Sequence, residues 1–337
     1  MVIVNSYALA VVLCFVIMLC WGSWGNTQKA TGKNWRYELF YCDYVIGMVL
    51  FSLILAFTLG TLGSGRTFCE DIAQADLKSI LWIVVGGVIF NASNILLSAS
   101  TSIAGMSVAF PLGCGLALVL GVVNNLIAGA KETNILLLGL GVALVVVAVV
   151  LNGVASGKKG ESNISKADQK KGIILALIAG LVMSFFSSFV MRGMGLDQNT
   201  EFCAVPGVVG PYTAIVIFAL AVLASHFILG PIIMAHPFVG EKVQFSQFFK
   251  GDAKTHIVGM CGGAIWCLGT ALSYITASAA GPAVSYALGQ GAPMVAAIWG
   301  IFVWKEFKGA PKSVNKMLTA MFVFFIIGLA LIVVSGN

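Results

Sequence analysis

Ten stretches of about twenty apolar residues, parted by short polar breaks, limit this chain more than any other feature. They run over positions 3–23, 41–62, 80–100, 106–128, 135–155, 172–190, 207–229, 257–277, 283–303 and 317–334. A hydrocarbon core about 30 Å thick takes roughly 20 helical residues to cross. Within it only helices and closed barrels satisfy their own backbone groups. The pattern therefore predicts an all-α membrane protein with ten transmembrane helices. Composition excludes a soluble fold: 59% of the 337 residues are hydrophobic and 9% are charged, against about a quarter charged in soluble domains. The net charge of +6 comes without a basic stripe, so the expected partners are the lipid bilayer and a small solute, not nucleic acid. The first run has no basic residue ahead of it and ends in Trp21 and Trp24, so it reads as a retained span, not a cleaved leader.

The hydrophilic segment 157–171 carries Lys158, Lys159, Lys166, Lys170 and Lys171 and divides the chain into two five-helix halves, 1–156 and 172–337. Lysine and arginine set orientation. Of the 19, all but Arg66, Lys78, Lys131 and Arg192 fall in or beside the loops after the odd-numbered spans. That side is expected in the cytoplasm, with both termini outside a cell (inner) membrane. Cys69 and Cys203 fall in loops of the opposite face, which permits a disulfide without requiring one.

The halves repeat. Shifted by 176 positions, Gly86-Gly87-Val88-Ile89-Phe90 falls on Gly262-Gly263-Ala264-Ile265-Trp266. In the same register Ser102-Ile103-Ala104-Gly105 falls on Ser278-Ala279-Ala280-Gly281, and Leu112-Gly113-Cys114-Gly115 on Leu288-Gly289-Gln290-Gly291. Five spans is an odd number, so the two copies enter the membrane in opposite directions. Such inverted repeats suit alternating access around a midplane site.

Polar residues inside the hydrocarbon face a cavity or another helix. Asn91, Asn94 and Ser98 share one helical face, and under the shift they meet Cys267, Thr270 and Tyr274. Tyr286 and Gln290 follow one turn apart, and Phe90 and Trp266 are aromatic in both copies. The candidate solute-binding set is Asn91, Asn94, Ser98, Trp266, Thr270, Tyr274, Tyr286 and Gln290. Interhelical hydrogen bonding is the competing account of the same residues. Few charges lie within the spans, which points to a neutral solute. Asp43 and His226 are the titratable candidates for a coupling proton. Spans 5 and 10, apolar nearly all round, are expected at the periphery or in a homodimer contact.

Several segments carry a family resemblance. They are Trp21-Gly22-Ser23-Trp24 with Tyr41-Cys42-Asp43-Tyr44, Gly86-Gly87 with Asn94, and Pro211-Tyr212-Thr213-Ala214. A further run goes from Gly262-Gly263 through Ala279-Ala280-Gly281 to Trp299-Gly300 and Trp304-Lys305-Glu306-Phe307. Together they resemble the drug/metabolite transporter superfamily, within it the ureide permease-like and glucose/ribose or rhamnose uptake branches. The resemblance implies ten helices, inverted repeats and secondary active transport of sugars or allantoin-like ureides. The chain lacks the long central insertion typical of plant ureide permeases, which tilts the expectation to a sugar. The expected function is thus a proton-coupled sugar permease needing no cofactor, with a ureide or nucleobase-type permease as the alternative. A channel or a membrane-embedded enzyme is the rival from another class. An enzyme is disfavoured because the chain has no HExxH motif, no phosphate-binding loop and no convincing serine–histidine pairing.

Overall fold

The computed structural model describes residues 1–32, 35–104, 106–128, 134–158, 166–196, 205–305 and 307–336. Its regular elements are helical. The first half contains α1 (Tyr7–Ser23), α2 (Gly25–Ala30), α3 (Tyr37–Phe57), α4 (Phe68–Gln74), α5 (Leu77–Ala104), α6 (Met106–Ala128) and α7 (Ile135–Gly157). The second contains α8 (Lys166–Gly193), α9 (Pro211–Ala235), a 3-10 turn (Phe245–Lys250), α10 (Ala253–Ala280), α11 (Pro282–Gly289), α12 (Ala292–Ile298) and α13 (Lys312–Ser335). Nine helical segments among the described residues are long and apolar enough to cross a membrane. Helix α6 occupies the expected fourth run.

Local chemistry sets the boundaries. Asp76 and Asp252 start α5 and α10 by accepting the N–H of Ser79 and Thr255, at 2.5 and 2.7 Å. Those hydrogen bonds hold both carboxyls below the usual carboxylate range. Helices α5 and α10 accordingly begin a few residues before the apolar runs that predicted them. The first expected run is covered by α1, with the short α2 following it beyond Trp24. One expected span is not a single straight helix. The ninth breaks at Gln290-Gly291 into α11 and α12, then ends in a π-turn at Trp299–Val303. Pro293 has no N–H to continue the hydrogen-bond ladder, so a break just ahead of it follows.

The packing partners pair off between halves. Helix α5 lies against α8 and α9, as α10 lies against α1 and α3; α6 meets α11, α3 meets α9, and α7 meets α13. Two matched glycines sit at close helix contacts. A Cβ on Gly87 would stand 2.9 Å from the Phe218 carbonyl oxygen, and one on Gly263 would overlap the Tyr44 carbonyl oxygen. Leu9, Val12 and Leu19 on α1 and Val323, Ile326 and Ile327 on α13 present apolar surface outward, the surface a bilayer covers.

The loops sort to two ends. At one, Arg36 donates to the carbonyls of Val239 and Glu241, Lys171 to that of Phe238, and Lys29 lies 4.4 Å over the Trp304 ring. At the other, the Met1 amino group donates to the carbonyls of Ser64 and Arg66, and Asp71 pairs with Arg66 at 3.0 Å. The pairing considered for Cys69 rests on Cys203, which lies outside the described residues.

Helices α7 and α13 meet at Gly141 and Gly328, where a Cβ on Gly328 would lie 2.8 Å from the Gly141 carbonyl oxygen. Leucine at 328 is therefore expected to wedge them apart, at about 1–3 kcal/mol for overpacking. Thermal unfolding in detergent, followed by size-exclusion fluorescence, should show a melting temperature several degrees lower.

Candidate functional site

The site is built where aromatic side chains of α5 and α10 meet. Phe90 and Trp266, matched by the 176-residue shift, pack on one another with ring centroids 4.2 Å apart and planes tilted by 31°. Trp21 of α1 lies nearly parallel to Trp266 at 6.5 Å, and Phe218 of α9 does the same at 5.9 Å. Trp21 is held in place because its indole N–H donates to Thr270 Oγ1 at 3.2 Å. Buried aromatic groups of this kind give a rigid wall with little conformational freedom to lose.

Beside that wall is a cavity with about 440 Å3 of empty space, its mouth included. Trp21, Trp24, Phe90, Trp266, Asn94 and Gln290 are among its lining residues. Asn94 comes from α5 in the first half and Gln290 from the break between α11 and α12 in the second. Asn94 donates one amide N–H to the Tyr41 hydroxyl at 3.2 Å. Gln290 is placed by the break: its backbone N–H donates to the Tyr286 carbonyl at 3.0 Å, while the side chain lines the cavity.

The other expected residues lie elsewhere. Asn91 donates to Ser225 Oγ at 2.8 Å and so ties α5 to α9. Tyr286 donates to the Ala117 carbonyl at 3.3 Å, tying α11 to α6. Thr270 serves Trp21, and Tyr274 stands edge-on to Phe218 at 6.3 Å. Ser98 is buried, and its Oγ meets no partner among the described residues. None of these five lines the cavity. Asn94, Trp266 and Gln290 do.

The titratable residues separate as well. Asp43 is buried, and its Oδ1 lies 2.7 Å from His256 Nδ1 while its Oδ2 accepts the Trp35 indole N–H at 3.2 Å. His226 sits apart, with Nε2 3.4 Å from Cys42 Sγ and its ring 5.3 Å from that of Tyr41. Sequence reasoning missed His256 and the pair Tyr41 and Tyr44, although Tyr41 and Tyr44 flank Asp43 in a motif already noted. Tyr44 lies 5.1 Å from Trp24 and 6.4 Å from Trp266 and so backs the cavity wall.

Comparison with known proteins adds a family. A family model described as ureide permease matches residues 40–171 and 158–335. Ureide permease 1 and ureide permease 2 of Arabidopsis thaliana are each 22% identical to this chain, over 100% of it and 99% of themselves. Ureide permease 4 of the same plant is 23% identical over the same shares. A solved crystal structure, titled only as that of a protein, is 12% identical and superposes with a TM-score of 0.61 over 96% of both chains. At that identity the likeness concerns the fold alone.

Proposed function

The chain belongs to the ureide permease family, integral membrane transporters and not enzymes, and we propose that its solute is a ureide or a nucleobase-like compound. The supporting observation is that Asn94 and Gln290, from different halves, line one cavity beside the Phe90–Trp266 pair. Each primary amide offers two N–H donors and a carbonyl acceptor. Such groups complement the alternating C=O and N–H edge of a ureide, while the indole faces take its flat surface. A sugar presents hydroxyls on all sides, and a cavity lined chiefly by aromatic and apolar groups leaves many of them unpaired, at about 1–3 kcal/mol each. The family match weighs the same way and lends nothing to the sugar reading, so the absent central insertion carries less weight than the sequence reading gave it.

The transport cycle we propose is alternating access by two inverted five-helix units, 1–156 and 172–337, joined by 157–171. The pairing of packing partners between halves supports it. The lysine-rich end faces the cytoplasm and both termini face outward. The coupling ion is a proton, and Asp43 carries it.

A thermal-shift series on the purified protein tests the solute class. Allantoin or uracil should raise the melting temperature, and glucose, ribose and rhamnose should not. Stabilisation by a sugar with none by ureides or nucleobases would overturn the assignment. Orientation is checked separately: a C-terminal reporter should be reached only from outside the cell, and a cytoplasmic one would reverse it.

A further inference from the structure

Helices α3 and α10 cross in the same way as α9 and α5, but only the first crossing brings a carboxyl group against an imidazole. Gly263 meets the Tyr44 carbonyl and the Met48 nitrogen, as Gly87 meets the Phe218 carbonyl and the Val222 nitrogen. These contacts relate α3 to α9 by 174 positions (44 to 218, 48 to 222). Asp43 thus corresponds to Ile217, and His256, shifted by 176, corresponds to Ile80. Two isoleucines stand in one crossing where a carboxylate and an imidazole stand in the other.

The pair lies on the lysine-rich side of its crossing. Asp43 Oδ1 is 2.7 Å from His256 Nδ1, and because a carboxylate only accepts, Nδ1 carries the hydrogen. The Asp43 side chain is 2% exposed, whereas that of His256 keeps 21%, so the pair touches water from that end only through the imidazole. Trp35 and Phe248 close over His256, with ring centroids at 5.3 and 4.7 Å. One turn beyond His256, a Cβ on Gly259 would stand 2.5 Å from Asp43 Cβ, so nothing separates the helices there. The next residue, Tyr44, packs on Trp24 and Trp266, two walls of the cavity.

We propose that Asp43 and His256 form the gate at the lysine-rich end, and that a proton arriving on Asp43 releases it. This rests on the transporter reading above and adds where the proton acts. In the closed state the Asp43 carboxylate accepts from His256 Nδ1–H and Trp35 Nε1–H and holds α3 against α10. A proton from water of the opposite compartment adds to a carboxylate oxygen and gives a neutral acid. The charge-assisted bond from His256 is lost, and charge-assisted bonds are roughly twice as strong as neutral ones. Helix α3 then parts from α10, and Tyr44 moves with it and opens the cavity toward the lysine-rich side. There the acid returns its proton to water and the carboxylate closes on His256 again. Other charged or titratable groups on the elements meeting at this point include Arg36 at the head of α3 and Tyr37, Glu38, Tyr41, Cys42 and Tyr44 along it. They also include Asp252 and Lys254 at the head of α10, Cys261 along it, Lys250 on the 3-10 turn, and His226 and His236 on and at the end of α9. Glu38 is already held by Arg36, and Asp252 by its cap on Thr255.

Cys114 lines the cavity and reports on the gate without any solute. With a membrane-impermeant maleimide applied from the lysine-rich side at one fixed pH, Asp43→Asn and His256→Phe should each speed Cys114 labelling about tenfold, read by peptide mass spectrometry. His256→Gln, which keeps an N–H donor, should stay near wild type. Unchanged rates in both opening variants, or acceleration by His226→Gln in their place, would overturn the gate. In proteoliposomes, Asp43→Asn should lose allantoin accumulation driven by a pH gradient yet keep allantoin counterflow. If wild type moves no allantoin while the labelling pattern holds, the solute assignment fails and the gate stands.

Discussion

Replacing Gln290 with leucine is expected to weaken ureide binding about a hundredfold while leaving folded yield and melting temperature close to wild type. The two side chains are similar in volume, so the cavity wall keeps its shape and little overpacking arises. What is lost is the hydrogen bonding of one amide. An unmade bond to a buried polar group costs about 1–3 kcal/mol, and a ureide leaves two edge groups unpaired when the amide is gone. Two such losses amount to roughly two orders of magnitude, because about 1.4 kcal/mol is a factor of ten. Gln290 is a better position for this test than Asn94, which also holds the Tyr41 hydroxyl, so that Asn94→Leu removes a protein contact along with the solute contact. Equilibrium binding of labelled allantoin in detergent, beside a melting curve of the same preparation, measures both quantities. Unaltered binding in a folded Gln290→Leu protein would remove the amide from the recognition model.

The spans were legible because bilayer thickness imposes one length on every crossing segment, and hydropathy alone measures length. The stripe was legible only in part. Helical spacing places Asn91, Asn94 and Ser98 on one face, but a face runs the length of a helix. Spacing says nothing of which neighbour each residue meets along it. Asn91 meets Ser225 and becomes a tie between helices, while Asn94, one turn on, reaches the cavity. The break at Gln290 was hidden for a different reason: its apolar neighbours carry the hydropathy of an unbroken span, and only Pro293 marked it. His256 could not be linked to Asp43 at all. They lie 213 residues apart, and the repeat offers no guide because the matching positions hold isoleucine. The offset itself changes from 176 between α5 and α10 to 174 between α3 and α9, so a single ungapped shift misplaces α3 by two residues.

The largest effect on stability is expected at Gly263. Alanine there should destabilise the protein by about 3 kcal/mol or more, the upper part of what overpacking costs. Its Cβ would overlap the Tyr44 carbonyl oxygen, and both the oxygen and the Met48 nitrogen 2.8 Å away belong to backbone that cannot turn aside like a side chain. Helices α3 and α10 would have to part, and with them the Tyr44 contact on Trp266. The matched change Gly87→Ala meets the Phe218 carbonyl oxygen at 2.9 Å and the Ala221 methyl at 2.8 Å, a lesser overlap than at Gly263, so α5 and α9 must shift less and about 1–2 kcal/mol is the expected cost. Alanine also favours helix over glycine by about 0.8–1.0 kcal/mol, a gain that opposes both losses. Gly139 on α7 isolates that gain, because a Cβ there meets nothing within 4 Å and Gly139→Ala should be neutral or slightly stabilising. Denaturant titration of the three variants in mixed micelles should rank them Gly139→Ala above Gly87→Ala above Gly263→Ala. If Gly263→Ala matched Gly139→Ala in stability, α3 and α10 would not cross as closely as the structure has them.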